Sequence, residues 1–289
     1  MGRRSARPRI ILTGDGRKPP VAAAVSELLP WLRERAELVA VDLAMDRSLE
    51  ELDADFVVIL GGDGAILSAA RRMGQKQKPA VGVNLGKFGF LAEVSPSELR
   101  ARFDEIAAGR CGLSERMMLA CTLRRGRRVV AELLALNDVV VSRGALSRLV
   151  TVGLWIDGAR TTTYNSDGVI ISTPTGSTAH SLSAGGPVLD PRVEAVVITP
   201  ICPHTLTNRP VVLPASSRIE LVADETPVDV GLTVDGQVYR ELEQGDRVVV
   251  RRAGVKFKLI DLGLRSFYET LREKLNWGGS AVPRGRRSR

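Results

Sequence analysis

Histidine, cysteine and aromatic residues are scarce in this chain of 289 residues, which has 2 histidines, 3 cysteines and 4% aromatic residues. Neither His180 nor His204 lies in a recognisable metal-ligand or Ser-His-Asp pattern, so zinc chemistry and triad hydrolysis are not indicated. The cysteines are not paired at metal spacing, which argues against a disulfide framework and fits a reducing compartment. Other groups must therefore carry the chemistry.

Long apolar segments are missing as well. The longest apolar runs, such as Phe56–Leu60, have the length of a strand, far short of the ~18 residues of a membrane helix. The arginines near the N-terminus are followed by Gly14, Asp15 and Gly16 and not by the apolar core of a signal peptide. We therefore expect a cytoplasmic protein with no membrane partner.

The basic excess is confined to the two ends of the sequence. The net charge is +8, from 41 basic and 33 acidic residues, and residues 1–9 and 283–289 each hold four arginines and no acid. A nucleic-acid-binding protein needs its basic charge clustered on a folded face, so this distribution argues against a nucleic-acid partner. We expect residues 1–8 to form a flexible basic tail and residues 278–289 a disordered one.

Strand-like and helix-like segments alternate over residues 9–109, which predicts a parallel sheet with flanking helices. From residue 110 to residue 261, strand-like runs are separated by turns such as Asp157-Gly158 and Asp235-Gly236, which is typical of an antiparallel sandwich. Residues 262–277 are predicted to form a C-terminal helix. The sequence thus predicts an α/β N-terminal domain followed by a β-rich, sandwich-like C-terminal domain.

The first candidate site is Gly61-Gly62-Asp63-Gly64, which directly follows a predicted buried strand and opens a helix. The glycines allow a phosphate to approach the backbone, and the helix N-terminus offers unpaired N–H groups. Beside that anion, the Asp63 carboxylate suits a metal ligand or a base for an attacking hydroxyl. The alternative is a simple turn with Asp63 as helix N-cap. The absence of Walker A and G-x-G-x-x-G patterns excludes a P-loop enzyme and a typical dinucleotide Rossmann domain.

The second candidate site contains Ser166-Asp167-Gly168, a strand, and the polar stretch Ser172–Pro187. Seven of the twelve residues from 172 to 183 carry hydroxyl groups, which suit ribose and phosphate oxygens at a helix N-terminus. The alternative is an ordinary polar loop.

Two weaker features accompany these sites. Asn137-Asp138 interrupts an apolar run, which indicates either a ligand contact or a β-bulge or turn. Asn84-Leu85-Gly86 with Gly89-Phe90 follows another parallel strand, at the same sheet edge as Asp63, where a close-packed glycine turn is the alternative.

Taken together and in this order, these blocks resemble the NAD kinase family over most of residues 55–240. The stretch Ser172–Pro187 is the most specific part of the resemblance, because phosphofructokinases and diacylglycerol kinases share the Gly-Gly-Asp-Gly sequence. The resemblance implies a phosphofructokinase-like α/β domain and a β-rich domain with the active site between them. It also implies transfer of the ATP γ-phosphoryl group to the adenosine-ribose 2′-hydroxyl of NAD, which makes NADP, in a homodimer or homotetramer with a divalent metal cation, Mg²⁺. Polyphosphate is the alternative donor, and a lipid or sugar kinase or a catalytically silent NAD(P)-binding protein is the alternative function.

By this resemblance Asp63 is the general base of the reaction. The residues that the resemblance implies for NAD and ATP binding are Gly61, Gly62, Gly64, Asn84, Asn137, Asp138, Arg148, Asn165, Asp167, Thr178, Ala179, His180, Ser181, Leu182, Ser183 and Gln237. The sequence departs from the family pattern at three positions. Ala65 replaces the usual Thr, Asp138 the usual Glu and His180 the usual Tyr.

Overall fold

Two β-sheets and five α-helices build the part of the chain that the computed structural model describes, which is residues 7–86, 89–144, 149–205, 207–225 and 230–277. The helices are α1 (Pro19–Arg35), α2 (Asp63–Arg72), α3 (Pro96–Ala107), α4 (His180–Ser183) and α5 (Phe267–Lys274). The strands are β1 (Arg9–Gly14), β2 (Glu37–Asp42), β3 (Phe56–Leu60), β4 (Pro79–Val83), β5 (Gly112–Arg125), β6 (Arg128–Ala135), β7 (Asp138–Arg143), β8 (Val150–Ile156), β9 (Ala159–Ser166), β10 (Gly168–Ser172), β11 (Ala195–Ile201), β12 (Val211–Pro214), β13 (Ile219–Glu225), β14 (Val230–Val234), β15 (Val238–Glu241) and β16 (Arg247–Asp261).

The N-terminal half contains the predicted parallel sheet, in the order β2-β1-β3-β4. Every residue of β3 is buried, as continuous apolar strands are when helices cover both faces of a sheet. Pro19 and Pro20 begin α1, where the missing N–H groups cost no intrahelical bond. The side chains of Ser95 and Glu98 form a reciprocal capping box that starts α3. The prediction of an α/β half is confirmed.

Strand β16 joins the two halves of the chain into one ten-stranded sheet. It pairs antiparallel with β5 and β13, and at Lys258 and Leu259 it pairs parallel with β4. The sequence predicted two separate strands here, Arg247–Arg251 and Phe257–Ile260. The structure instead has one strand with a register shift between Arg252 and Lys256, because a bulge absorbs the interruption of the apolar pattern. The predicted domain boundary near residue 110 falls between α3 and β5. The ten-stranded sheet contains strands from both sides of this boundary.

The second sheet has six antiparallel strands, in the order β12-β11-β10-β7-β14-β15. Its inner face packs against the first sheet in an aliphatic core that includes Val139, Val141, Ile171 and Leu232. The chain passes from the first sheet to the second at Leu136 and Asn137, between β6 and β7. The predicted sandwich is thus confirmed. Strands β9, β12 and β15 were not predicted, because they are polar or short and lie at or near sheet edges. Strand β7 was not predicted as a separate strand either, because its residues belong to the apolar run that Asn137-Asp138 interrupts.

The C-terminal helix α5 is shorter than the predicted span of 262–277, since Ser266 and Glu269 form a capping box that starts it at Phe267. The predicted disordered tail, residues 278–289, lies outside the described residues, as does most of the predicted basic tail at residues 1–8. Within the described ranges, no helix combines the length and apolar character that crossing a membrane requires.

Phe257 on β16 tests how much of the stability depends on the junction between the halves. Its side chain is fully buried, in a cluster with residues of α2, β4 and β5. We expect Phe257→Ala to lower the free energy of unfolding by about 3–5 kcal/mol, because it leaves a cavity among these elements. Chemical denaturation measures the loss. The control Val129→Ala, at a side chain that is 42% exposed, should change stability by less than about 0.5 kcal/mol. Equal effects of the two substitutions would contradict this assignment of the core.

Candidate active site

The Asp63 carboxylate is held by the backbone of the segment that follows β4. Its Oδ2 accepts a hydrogen bond from Phe90 N–H at 2.8 Å, and its Oδ1 accepts from Leu91 and Ala92 N–H at 3.0 and 3.1 Å. A side chain at Gly89 would collide with this carboxylate. Because a carboxylate has about four acceptor positions, Oδ2 keeps one position for a further donor.

Asp63 does not cap its own helix. The N-cap of α2 is Gly62, which makes no side-chain cap bond, and Asp63 is the first helical residue. This placement rules out the N-cap alternative considered for the Gly-Gly-Asp-Gly sequence. The carboxylate instead orders residues 90–92, on the neighbouring strand connection.

Asn84 supports the same segment from below. Its Nδ2 donates to the carbonyl of Ala92 at 3.1 Å, and its Oδ1 accepts from Gly86 N–H at 2.8 Å. The side chain is buried. Asn84 therefore positions the backbone that holds Asp63.

A cleft of about 390 Å³ lies over the loop from Gly61 to Gly64 and is called the glycine cleft below. Arg17 and Lys18, at the entry to α1, and Gln237, from the C-terminal half, line it as well. In the first turn of α2, Ala65 N–H donates to the Gly62 carbonyl at 2.9 Å, and the N–H groups of Asp63 and Gly64 are at the helix start, where no intrahelical acceptor precedes them. Asp15 also lines the cleft and pairs with Arg17 at 2.8 Å. Lys18 and the N–H groups at the helix start then make this cleft suitable for a polyanion such as a chain of phosphates.

A second cleft, of about 300 Å³, runs along β7 and is called the strand cleft. Because side chains alternate along a strand, Asp138, Val140 and Ser142 face this cleft, while Val139 and Val141 enter the sandwich core. The span from Asp138 to Ser142 is about 13 Å at ~3.3 Å per residue. The cleft is also lined by Asn137, Ala179, His180, Thr233, Asp235 and Gly236.

Asn137 carries an unsatisfied acceptor at the edge of this cleft. Its Oδ1 is buried and has no hydrogen-bond partner among the described residues. A buried polar atom without a partner is costly unless a ligand or water satisfies it. The atom therefore marks a place for a donor group of a ligand.

The turn between β14 and β15 connects the two clefts. Asp235 begins this turn with a φ of 51°, and its buried carboxylate accepts backbone N–H bonds from Leu136, Asn137 and Asp138 at 2.9, 2.7 and 3.1 Å. These donors lie where the chain crosses between the sheets. The Asp235 carboxylate thus anchors the turn to that crossing and borders the strand cleft.

Two residues further on, Gln237 reaches the glycine cleft. Its Nε2 donates to the carbonyl of Gly64 at 2.7 Å, and its Oε1 accepts from Arg71 Nη1 at 2.8 Å. Gln237 therefore ties the C-terminal sheet to the first turns of α2, one residue from Asp63. The turn from Asp235 to Gln237 contacts both clefts.

The hydroxyl-rich stretch 172–183 forms a 3-10 turn at Thr175–Thr178 and the single turn α4. Several of its hydroxyls face inwards: Thr173 Oγ1 donates to the Leu136 carbonyl at 2.7 Å, and Ser181 Oγ lies 2.9 Å from Thr199 Oγ1. Gly176 packs so closely on the Asn137 carbonyl that a side chain would not fit. These contacts fasten the stretch to the sheet crossing.

The predicted site residues of this stretch fall into two groups. Ser181 is fully buried, whereas Thr178, Ala179, His180, Leu182 and Ser183 are partly or fully exposed. Ala179 and His180 line the strand cleft. The stretch thus brings a backbone turn and an imidazole to the strand cleft. Many of its hydroxyls form hydrogen bonds within the protein.

Asp167 and Asn165 lie towards the other end of β7. The Asp167 carboxylate accepts from Arg143 Nε at 2.7 Å, and this guanidinium lowers the pKa of Asp167. Asn165 is exposed, and its Oδ1 accepts from Thr151 Oγ1 at 3.1 Å. Arg148 lies outside the described residues.

Burial and the nearby Asp235 raise the pKa of Asp138 to about 7. Burial also raises the pKa of Asp235, although the three backbone N–H bonds act in the opposite direction. Of the two carboxyl groups, Asp235 is better placed to hold a negative charge, because it has three donors. The free protein therefore keeps Asp138 protonated below about pH 7.

A resident metal centre is not evident, since the described ranges contain no group of three or more His, Cys, Asp or Glu side chains that could hold an ion. Mg²⁺ is commonly bound by one or two carboxylates together with substrate phosphates. The residues present fit a cation that arrives with a nucleotide.

Sequence reasoning missed several residues that build this site. Asp235 was identified only as part of a turn, and Arg17, Lys18 and Arg71 were not identified at all. The Asp-Gly turn two residues before Gln237 was the available signal for Asp235. Arg71 contacts Gln237, 166 residues away, and Arg17 and Lys18 reach the site only because the entry to α1 packs beside the glycine loop. No local pattern indicates these three residues.

Comparisons with known proteins identify the family. Residues 43–111 match the ATP-NAD kinase N-terminal domain, and residues 136–262 match the ATP-NAD kinase C-terminal domain. The chain is 44% identical over 270 residues to an NAD kinase of Geobacter sulfurreducens, with 90% of this chain and 95% of the relative covered. It is 40% identical over 272 residues to an NAD kinase of Rhodopirellula baltica, with 94% and 88% covered.

Solved structures agree with these matches. A yeast NADH kinase complexed with NADH superposes with a TM-score of 0.86 at 28% identity, covering 96% of this chain and 89% of that chain. An NAD kinase from Archaeoglobus fulgidus in complex with ATP has the same fold, with a TM-score of 0.75 at 24% identity and coverage of 94% and 100%. The chain belongs to the ATP-NAD kinase family, and the alternatives of a lipid or sugar kinase and of a silent NAD(P)-binding protein are not supported.

The raised pKa of Asp138 predicts a particular dependence of stability on pH. An unfolded Asp has a pKa of about 3.9, so the folded protein binds this proton more tightly. The contribution of Asp138 to stability is therefore lost as pH rises from about 4 to about 7. Asp138→Asn should remove this loss and make the protein more stable than the wild type at pH 8, by an amount on the order of 4 kcal/mol.

Denaturation in urea at pH 5 and pH 8 measures both effects. The control Asp46→Asn changes an exposed carboxylate and should keep the pH dependence of the wild type. If the free energy of unfolding of Asp138→Asn depended on pH as that of the wild type does, a group other than Asp138 would be responsible.

Proposed function

We propose that this chain transfers the γ-phosphoryl group of ATP to the 2′-hydroxyl of the adenosine ribose of NAD, with NADP and ADP as products. The observation that carries the proposal is the single turn, residues 235–237, that borders both the strand cleft and the glycine cleft. Such an arrangement suits two nucleotide substrates that must meet near one carboxylate. Most of the catalytic effect then comes from positioning and charge neutralisation.

NAD occupies the strand cleft in this proposal. The unpaired Oδ1 of Asn137 accepts from an amino group of the adenine, and the Asp138 carboxylate accepts from ribose hydroxyls. His180 offers a flat ring at the surface of the cleft, against which a base can stack. Asp167, Asn165 and Arg148 remain predicted contacts for the rest of the dinucleotide, together with residues 178–183.

ATP occupies the glycine cleft, with its phosphates against the backbone from Gly61 to Gly64. Lys18 and Arg17 supply positive charge from the side of α1. Mg²⁺ bound to the phosphates supplies further charge neutralisation when the nucleotide is present. Polyphosphate has the same repeating charge, so it stays a candidate donor.

Asp63 acts as general base through the free acceptor position of Oδ2. The 2′-hydroxyl gives its proton to this carboxylate while its oxygen forms a bond to the γ-phosphorus, and the bond to the ADP oxygen breaks. Three backbone N–H groups hold the carboxylate, so it stays oriented during the transfer. A ribose hydroxyl is a weak nucleophile, which explains the need for a base.

The assembly and the compartment complete the proposal. The exposed side chains of Val211 and Val212 on edge strand β12 support a homodimer or homotetramer, since an apolar edge invites pairing with another chain. The three free cysteines, Cys111, Cys121 and Cys202, support a cytoplasmic location.

Asp63→Asn tests the role of the base. The amide keeps the size of the side chain but cannot take the proton, so kcat should fall by about 10²–10⁴-fold. The binding of NAD, measured by calorimetry, should change little, because the strand cleft is intact. The assay is NADP formation from NAD with ATP and, separately, with polyphosphate.

The control for this test is Asp46→Asn, at an exposed position, which should retain wild-type turnover. Near-normal turnover in Asp63→Asn would reject Asp63 as base. No NADP from the wild type with either donor would reject the proposed function itself.

A further inference from the structure

A third cavity, of about 250 Å³, lies on the other side of the segment that holds Asp63 and is called the rear cavity. Phe90, Leu91 and Glu93 form one wall, Arg116 of β5 forms another, and residues around the start of α5 complete it. It shares no lining residue with the glycine cleft or the strand cleft. It is therefore separate from the proposed substrate sites.

Two charged side chains in this cavity have no partner among the described residues. Arg116 makes no hydrogen bond or ion pair there, and its Nε is fully buried. The Glu93 carboxylate likewise makes no hydrogen bond and lies more than 4.0 Å from any basic nitrogen of the described chain. Burying a charged group without a hydrogen-bond partner is expensive, so a ligand with complementary charged groups would lower this cost at both side chains.

The other charged residues of the cavity differ in this respect. Asp190 accepts from Arg192 at 2.7 Å and from the Tyr268 hydroxyl at 2.9 Å. Arg265 donates to Glu273 at 3.0 Å, and Asp261 accepts from Gly263 N–H at 2.8 Å. Among the described charged side chains that line the cavity, those without a hydrogen-bond partner are thus Arg116 and Glu93.

The pKa values of Arg116 and Glu93 reflect their burial in the rear cavity. Burial lowers the pKa of Arg116 and raises the pKa of Glu93 to about 7, and the opposite charges that the two groups place on each other only partly offset this effect. The cavity also has an apolar part, which contains the rings of Phe90 and Phe267 at a centroid separation of 6.2 Å. The complement of this cavity is a small molecule with a negative end, a positive end and an apolar body.

We propose that the rear cavity binds a zwitterion of the α-amino acid class, with its carboxylate on Arg116, its ammonium group on Glu93 and an apolar side chain against Phe90 and Phe267. A guanidinium binds a carboxylate through two parallel N–H bonds. Such a ligand contacts the backbone segment whose N–H groups hold Asp63.

Thermal denaturation of the full chain with each of the twenty standard amino acids, added singly at millimolar concentration, tests the proposal. At least one amino acid with an apolar side chain should raise the Tm by several degrees in a concentration-dependent way. The absence of any rise across the twenty would overturn the proposal and leave water as the partner of both groups.

Calorimetry with the best-bound amino acid then assigns its two ends. Its amide lacks the carboxylate and its N-acetyl form lacks the ammonium group, and each should bind about tenfold or more weakly to the wild type. Arg116→Gln should weaken binding of the amino acid and abolish its advantage over the amide. Glu93→Gln should do the same relative to the N-acetyl form.

The matched control is Arg192→Gln, at an exposed arginine on the rim that already pairs with Asp190, and it should keep the wild-type affinity. Arg116→Lys retains a positive charge and serves as the second variant if Arg116→Gln does not fold. Unchanged affinity in both Glu93→Gln and the Arg116 variant would place the bound amino acid elsewhere and overturn the proposal.

Discussion

The buried carboxylate of Asp235 holds together the first place where the chain passes from one sheet to the other, between β6 and β7. Three consecutive backbone N–H groups, of Leu136, Asn137 and Asp138, donate to it. The sheets could pack without this contact, but the crossing would then leave buried donors unpaired, which costs about 1–3 kcal/mol for each group. The site residues on both sides of the crossing depend on this one anion for their relative positions.

Three parts of the site follow from this anchor. Asn137 presents its unpaired oxygen at the strand cleft, the stretch from Thr173 to Gly176 packs on the crossing, and Gln237 extends the same turn to Gly64. The cost appears at Asp138, whose carboxyl group is buried beside a second carboxyl group and has a pKa raised to about 7. In the proposed function this carboxyl group binds ribose hydroxyls, which would explain why it is retained in spite of its effect on stability.

The architecture could be predicted from the sequence because it depends on local patterns. Apolar strands such as Phe56–Leu60 and the alternation with helices indicated the α/β half, and the regular turns indicated the sandwich. Gly-Gly-Asp-Gly and the hydroxyl stretch indicated the site for the same reason. The continuity of β16 could not be predicted, because a bulge at Arg252–Lys256 interrupts the apolar pattern.

The contacts that assemble the site were beyond local reasoning. Asp235 lies about a hundred residues from the backbone N–H groups that donate to it. Gln237 lies 173 residues from Gly64. The direction in which the hydroxyls of 172–183 point depends on packing against Leu136 and Thr199, which composition does not indicate. The hydroxyl pattern predicts a ligand-binding stretch, and in the structure many of these hydroxyls hold the stretch in place.

We infer that the turn from Asp235 to Gln237 fixes the positions of the two clefts relative to each other. The kinetics of Gln237→Ala test this most directly. The substitution removes the hydrogen bonds to Gly64 and Arg71, which together contribute slightly more than about 1 kcal/mol. It should therefore lower kcat for NADP formation by about tenfold. The KM for NAD should stay within about twofold. The control Gln244→Ala, which removes a surface bond to the Asp224 carbonyl, should leave both constants unchanged. An unchanged kcat with a raised KM would make Gln237 a substrate contact and contradict the claim.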